Sequence, residues 1–124
     1  MKHRYRNLKI WQLGIEIADD VYRLLEHFPT EEKFGLVSQI SRSSVSIPSN
    51  IAEGSAMTDQ SFNHYVNIAL GSSFELVTQL IIAGKRNYIN EQNLNKIEEK
   101  IQEFQKMTIG FKKTLNPDKQ KSKL

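Results

Sequence analysis

The chain has 124 residues, no cysteine and a formal net charge of +3, and this length is typical of a single domain. The missing cysteines exclude disulfides and thiolate metal sites, and a domain of this size buries enough surface to fold without either. We expect no metal or other cofactor.

The charge is distributed unevenly. Residues 1–9 carry four basic side chains, residues 112–124 carry five lysines and one aspartate, and residues 10–111 carry 8 basic and 13 acidic side chains, a net charge of −5. The basic start leads into no apolar signal core, and the longest uninterrupted apolar stretch, residues 80–83, is too short to span a membrane. We expect a soluble cytoplasmic protein with a basic arm (1–9), one folded domain (10–115) and a polar tail (116–124).

The first predicted helix covers residues 10–28. Its apolar residues recur at helical spacing on one broad face, and they are Ile10, Leu13, Ile17, Val21, Leu24 and Phe28. Pro29 follows directly and should end the helix.

The second predicted helix covers residues 31–54, with the Thr30 hydroxyl as its N-terminal cap. Apolar spacing continues across Pro48, although a proline inside a helix removes one backbone hydrogen bond and clashes with the preceding turn. We therefore predict a continuous helix that is kinked at Pro48. Gly54 suits a C-terminal cap.

The third predicted helix covers residues 59–87, with Asp59 as its cap, and it carries two apolar stripes. The first stripe comprises Phe62, Val66, Ala69, Leu76, Leu80 and Ala83. The second, turned by about 100°, comprises Leu70, Phe74, Val77 and Ile81. Because one stripe is enough to close a small bundle, we predict that the second is an oligomer interface.

The fourth predicted helix begins after Asn90, which should cap it. A heptad series of core positions runs to residue 115 and comprises Leu94, Ile97, Ile101, Phe104, Thr108, Phe111 and Leu115. Asn116 and Pro117 should end it. Four long amphipathic segments with short connections predict an all-α fold, an antiparallel up-down four-helix bundle.

No pattern indicates catalysis or a small-molecule substrate. A di-iron bundle site needs Glu-x-x-His pairs, and the sequence contains none. The serines at positions 41–49 have no histidine near them in the sequence that could activate one. We expect that the protein is not an enzyme.

A polar stripe follows one side of the second helix and continues as a pair on the third. It comprises Gln39, Arg42, Ser46, Asn50 and Glu53, with Glu75 and Gln79 on the third helix. Three interpretations stay open: a solvated face, a hydrogen-bonded network that fixes helix register or a subunit contact, and a ligand site.

Three blocks of sequence resemble a known family. They are residues 8–11 (Leu-Lys-Ile-Trp), residues 28–54 ending in Val-Ser-Ile-Pro-Ser-Asn-Ile-Ala-Glu-Gly, and residues 71–80 beginning Gly-Ser-Ser-Phe-Glu-Leu. The chain is similar to the bacterial four-helix bundle proteins named after genes within intervening sequences of 23S ribosomal RNA. This resemblance implies an up-down bundle that assembles into a ring-like homopentamer, with no known enzymatic activity.

The resemblance also leaves a second function open. A relative of that family, the accessory variability determinant of diversity-generating retroelements, works with a reverse transcriptase and RNA. By analogy, the basic ends of this chain could contact RNA or a nucleic-acid-processing protein, through Lys2, Arg4, Arg6, Lys9, Lys112 and Lys113. The alternative is that the two ends are solvated tails. The two main hypotheses are thus an oligomeric scaffold and a nucleic-acid accessory protein.

Overall fold

A computed structural model describes residues 3–115, which form four α-helices and no strand. The helices are α1 (Lys9–Leu25), α2 (Leu36–Ser55), α3 (Asp59–Lys85) and α4 (Glu91–Leu115). Two short 3-10 helices, Tyr5–Asn7 and Thr30–Glu32, precede α1 and α2. The predicted basic arm is described from His3 onward, and the predicted polar tail lies outside the described residues.

The helices pack as an antiparallel four-helix bundle, which confirms the predicted fold class. α2 contacts α1 and α3, and α4 contacts the same two helices, so that α1 and α3 lie diagonally opposite each other. The core is formed by the faces that the spacing predicted, and its largest fully buried side chains include Ile17, Ile40, Ile47, Ile51, Phe62, Leu76, Leu80, Ile101 and Phe104. Burying each such side chain contributes about 1.5–3 kcal/mol.

The predicted end of the first helix and the predicted start of the second are wrong. α1 ends at Leu25 rather than Phe28, because the residue before Pro29 is disfavoured in helical geometry. Over residues 26–28 each backbone amide donates to the carbonyl three residues earlier, as in a 3-10 helix. Thr30 does not cap α2, which begins only at Leu36. The Leu36 amide instead donates to the Glu32 carboxylate over 3.1 Å.

The N-terminal caps of α3 and α4 are polar side chains directly before each helix. α3 is capped by Thr58 and not by the predicted Asp59, since the Ser61 amide donates to the Thr58 hydroxyl oxygen at 3.3 Å. The predicted cap of α4 is confirmed, because the Asn93 amide donates to the Asn90 side-chain oxygen at 2.7 Å.

Two residues of the predicted second helix serve close packing. α2 runs uninterrupted through Pro48, as predicted, and the kink itself stays a prediction. A Cβ on Gly14 of α1 would lie 3.4 Å from the Pro48 ring, so the two helices approach closely there. The cap predicted at Gly54 is wrong: no described glycine has a positive φ. A Cβ on Gly54 would lie 2.7 Å from both Phe62 and Tyr65 of α3, which explains the need for glycine.

Candidate functional site

Apolar side chains continue around α3 beyond the core. Of the predicted second stripe, Phe74 is 55% exposed, whereas Leu70, Val77 and Ile81 are half-buried. Val77 also packs against the core. Two further residues, Ile68 and Ile82, are exposed by 39% and 46%. Ile68 and Ile82 lie elsewhere around the helix, so we give the name α3 outer face to the predicted stripe alone, Leu70, Phe74, Val77 and Ile81. Sequence reasoning missed Ile68 and Ile82 because they belong to neither predicted stripe.

α3 is more apolar than its burial within one chain accounts for. Its most apolar 18-residue window has a mean hydropathy of 1.5, yet only 39% of that window is buried. By length and composition such a helix could cross a membrane, and core helices of soluble proteins share these features. The helix therefore presents apolar surface that the single bundle leaves uncovered.

A buried hydrogen-bonded contact joins α2 to α3 beside this face. Ser43 Oγ lies 2.6 Å from Glu75 Oε1, 2.9 Å from Gln79 Oε1 and 3.1 Å from the Gln39 carbonyl oxygen. A hydroxyl has one hydrogen, so it donates to one of these acceptors only. The charged carboxylate of Glu75 is the strongest acceptor, and Gln79 Nε2 also donates to Glu75 Oε1 at 3.4 Å.

A second contact lies about one turn closer to the C-terminal end of α2. Ser46 Oγ lies 2.8 Å from Ser72 Oγ of α3. Asn50 Nδ2 donates to the Ser46 carbonyl at 2.8 Å and lies 2.9 Å from Ser46 Oγ. Small hydroxyl side chains let the helix backbones approach while both partners stay paired.

The predicted polar stripe thus divides into two groups. Ser46, Asn50, Glu75 and Gln79 make side-chain hydrogen bonds, and Ser43 and Ser72, which the predicted stripe does not include, complete them. The other members are exposed: Gln39 contributes only its carbonyl, and neither Arg42 nor Glu53 has a hydrogen bond or ion pair within residues 3–115.

Arg42 and Glu75 line two neighbouring depressions along the outside of α2 and α3. One, of about 570 Å³, extends toward Tyr22 and Val45. The other, of about 590 Å³, is lined by Gln39, Arg42, Phe74, Glu75, Thr78 and Gln79, and we call it the α2–α3 depression. It adjoins the α3 outer face through Phe74, so that polar and apolar surface meet there.

The N-terminal arm is folded onto the bundle. The His3 ring packs edge-on against Phe62 and Phe111, with centroids 5.2 and 6.0 Å apart. Tyr5 packs edge-on against Trp11 at 5.2 Å, and the Arg6 guanidinium lies 5.9 Å from both rings. Within the described residues, the arm is therefore ordered by contacts and is not a free tail.

The two predicted basic segments lie at one end of the bundle. The contact between His3 and Phe111 brings the arm to the last turns of α4, which carry Lys112 and Lys113. Arg4, Arg6, Lys9 and Lys113 are exposed and Lys112 is half-buried. The remaining predicted contact, Lys2, lies outside the described residues.

A charged cluster links α1 to α4 away from these surfaces. Lys100 Nζ lies 2.6 Å from Asp20 Oδ2 and 3.7 Å from Glu16 Oε1. The hydrogen bond to Asp20 and the negative charge of both carboxylates raise the pKa of Lys100, while partial burial acts in the opposite direction. The cluster is structural, since it clamps two core-forming helices.

Residues 3–115 include no group of three or more histidine and acidic side chains placed to hold a metal ion. Their serine hydroxyls hydrogen-bond to backbone carbonyls, to other serines and to the side chains of Glu75, Gln79, Asn50 and Gln105, with no histidine among these partners.

The structure defines an all-helical bundle in which the polar α2–α3 depression adjoins the apolar α3 outer face. The chain belongs to the 23S rRNA-intervening sequence protein family, whose model matches residues 6–110. This confirms the resemblance seen in the sequence.

A solved structure has a similar fold. The chain is similar to a crystal structure from Bacteroides thetaiotaomicron VPI-5482, described as a protein of unknown function from the S23 ribosomal protein family. The two share 26% identity with a TM-score of 0.74, over 84% of this chain and 98% of that one. No curated protein matches the sequence.

Proposed function

We propose that this protein is a non-catalytic scaffold that acts in the cytoplasm as a homo-oligomer, in which a second copy covers the α3 outer face. The observation that carries the proposal is that the most apolar window of α3 is only 39% buried in one chain. Covering apolar surface is favourable by about 25 cal/mol per Å², and exposed apolar patches on soluble proteins commonly mark interaction sites.

The number of subunits comes from the family resemblance and not from the contacts. The resemblance suggests a ring-like pentamer. A ring requires two different surfaces on each chain, because each copy contacts one neighbour on either side. A mass in solution close to five times the 14.3 kDa chain mass would agree with this number.

Phe74→Glu tests whether the α3 outer face is the interface. The exposed Phe74 can be replaced without disturbing the monomer, but in an assembly the substitution would remove apolar contact and force a carboxylate out of water. We expect the dissociation constant to rise at least about 100-fold, measured by light scattering after size exclusion.

Ile109→Glu is the matched control, because Ile109 is 50% exposed on α4 and lines none of the depressions described above. This variant should assemble like the unmodified protein. If Phe74→Glu assembles normally, or if both variants dissociate equally, the α3 outer face is not the specific interface.

A second candidate function is that of a nucleic-acid accessory protein. It is favoured by the packing of His3 on Phe111, which places exposed basic residues from both ends of the chain at one end of the bundle. Oligomerisation would multiply this positive surface. The partner would be RNA or a protein that processes it.

Salt dependence tests this second candidate. Phosphate contacts release counterions, so affinity for a structured RNA should fall steeply as salt rises. Replacing Arg4 and Arg6 with alanine should reduce the slope of log affinity against log salt concentration by about 1–2. The control is Lys96→Ala, since Lys96 lies near the start of α4, far from Lys112 and Lys113 in its last turn. This variant should leave RNA binding unchanged. No binding at low salt, or a slope that the arm substitutions do not change, would rule this function out.

A further inference from the structure

Phe34 is an aromatic side chain that is almost fully exposed within the described part of the chain. It is 89% exposed, more than any other large apolar side chain among residues 3–115. It lies in the short connection between the Thr30–Glu32 turn and α2. The one ring contact of Phe34 in this part of the chain is the Lys33 ammonium, 5.5 Å from the centroid. An aromatic ring held so far out of the core is suited to act as an anchor on another surface.

The α2–α3 depression is a surface that such a ring fits. It is about 590 Å³ in volume, and it combines an exposed aromatic ring, Phe74, with the guanidinium of Arg42, which has no hydrogen bond or ion pair within residues 3–115. Aromatic rings pack favourably edge-on against each other, and a guanidinium stacks on an aromatic face. The depression also contains Glu75, whose carboxylate accepts hydrogen bonds but has no cation partner within the described residues.

Phe34 and the depression lie near the same end of the bundle. The Tyr88 hydroxyl, just after α3, donates to Glu32 Oε2 at 3.0 Å, which fixes the segment before Phe34 beside the end of α3. Gln39, at the rim of the depression, lies in the first turn of α2. In a ring whose subunits point the same way, residues at the same level of neighbouring copies face each other.

We propose that Phe34 of one copy inserts into the α2–α3 depression of a second copy, between Phe74 and Arg42. Lys33 then lies close to the partner copy's Glu75, which adds charge complementarity. This inference rests on the proposed homo-oligomer and names the residue that covers part of its interface. Because anchor and depression are different surfaces of one chain, the contact is head-to-tail and can close a ring.

Disulfide cross-linking tests this geometry, because the chain contains no cysteine. Lys33→Cys and Thr78→Cys place one thiol beside Phe34 and one at the depression while leaving Phe34 and Phe74 in place. Under mild oxidation we expect the double variant to form a ladder of covalent oligomers. Each single variant should stay a single chain on a non-reducing gel.

Two cross-linking results would overturn the proposal. Dimers formed by either single variant would show a symmetric contact between identical surfaces. A double variant that yields only monomers on the gel would show that the two positions do not meet in the assembly.

Phe34→Ala tests the energetic role of the ring. Because Phe34 is almost fully exposed, the substitution should leave the melting temperature of a dissociated chain unchanged. An aromatic anchor should weaken association at least about 30-fold when truncated, whereas Phe34→Tyr, which keeps the ring, should have little effect. An unmodified protein that is monomeric at all concentrations would remove the proposed function. A stable oligomer that forms no ladder and tolerates Phe34→Ala would remove only this inference.

Discussion

Gly54→Ala should separate α2 from α3 and destabilise the bundle. The added Cβ would lie 2.7 Å from Phe62 Cδ1 and 2.7 Å from Tyr65 Cβ. Carbon atoms prefer separations of about 3.5–4.0 Å, so the helices must move apart by about 1 Å or Phe62 must leave its preferred rotamer. Because the Tyr65 Cβ is fixed to the α3 backbone, it cannot swing away.

The magnitude follows from two opposing terms. Overpacking a well-packed site costs about 1–3 kcal/mol, and a rigid neighbour places this site in the upper part of that range. Replacing glycine by alanine inside a helix returns about 1 kcal/mol. The net expectation is a loss of about 1–2 kcal/mol in the free energy of unfolding.

Urea unfolding followed by circular dichroism measures this loss, at one fixed protein concentration because assembly would add to stability. Gly110→Ala is the matched control, since a Cβ on Gly110 of α4 meets nothing within 4 Å. It should stabilise the protein by up to about 1 kcal/mol. If Gly54→Ala is as stabilising as Gly110→Ala, the close approach of α2 to α3 at this glycine is wrong.

Two further changes test individual side-chain contacts. Lys100→Met keeps the alkyl packing but removes the ion pairs to Asp20 and Glu16, and it should cost about 0.5–1 kcal/mol at pH 7. Because the pKa of Lys100 is raised above 10.5, this difference should persist up to about pH 10 and shrink as the pH rises through the raised pKa; a difference that is the same at pH 7 and pH 12 would contradict the assignment. Thr108 is fully buried, and its hydroxyl has no hydrogen-bond partner within residues 3–115. Thr108→Val should therefore stabilise the protein by about 1 kcal/mol in urea unfolding, and a loss of stability would show that the hydroxyl is paired.

Local patterns predicted the helices well and their long-range contacts poorly. The α4 heptad and its Asn90 cap are signals contained within a few residues, and both agree with the structure. The start of α2 depends on Glu32, whose carboxylate accepts hydrogen bonds from the Leu36 amide and from the hydroxyl of Tyr88, which is distant in sequence. No local pattern indicates that second contact, so the predicted start at residue 31 was wrong.

Gly54 shows the same difficulty at a single residue. A glycine near a helix end is typical of a C-terminal cap, and only the positions of Phe62 and Tyr65 show that close packing requires it. Likewise the two predicted stripes of α3 omitted Ile68 and Ile82, since the helix carries exposed apolar residues outside both stripes.

Sedimentation velocity of the unmodified protein over a range of concentrations tests the central claim most directly, because that claim is that a second copy covers the α3 outer face. We predict a single species several times heavier than the 14.3 kDa chain, which dissociates only on strong dilution. A stable species with the mass of one chain at every concentration would contradict the account.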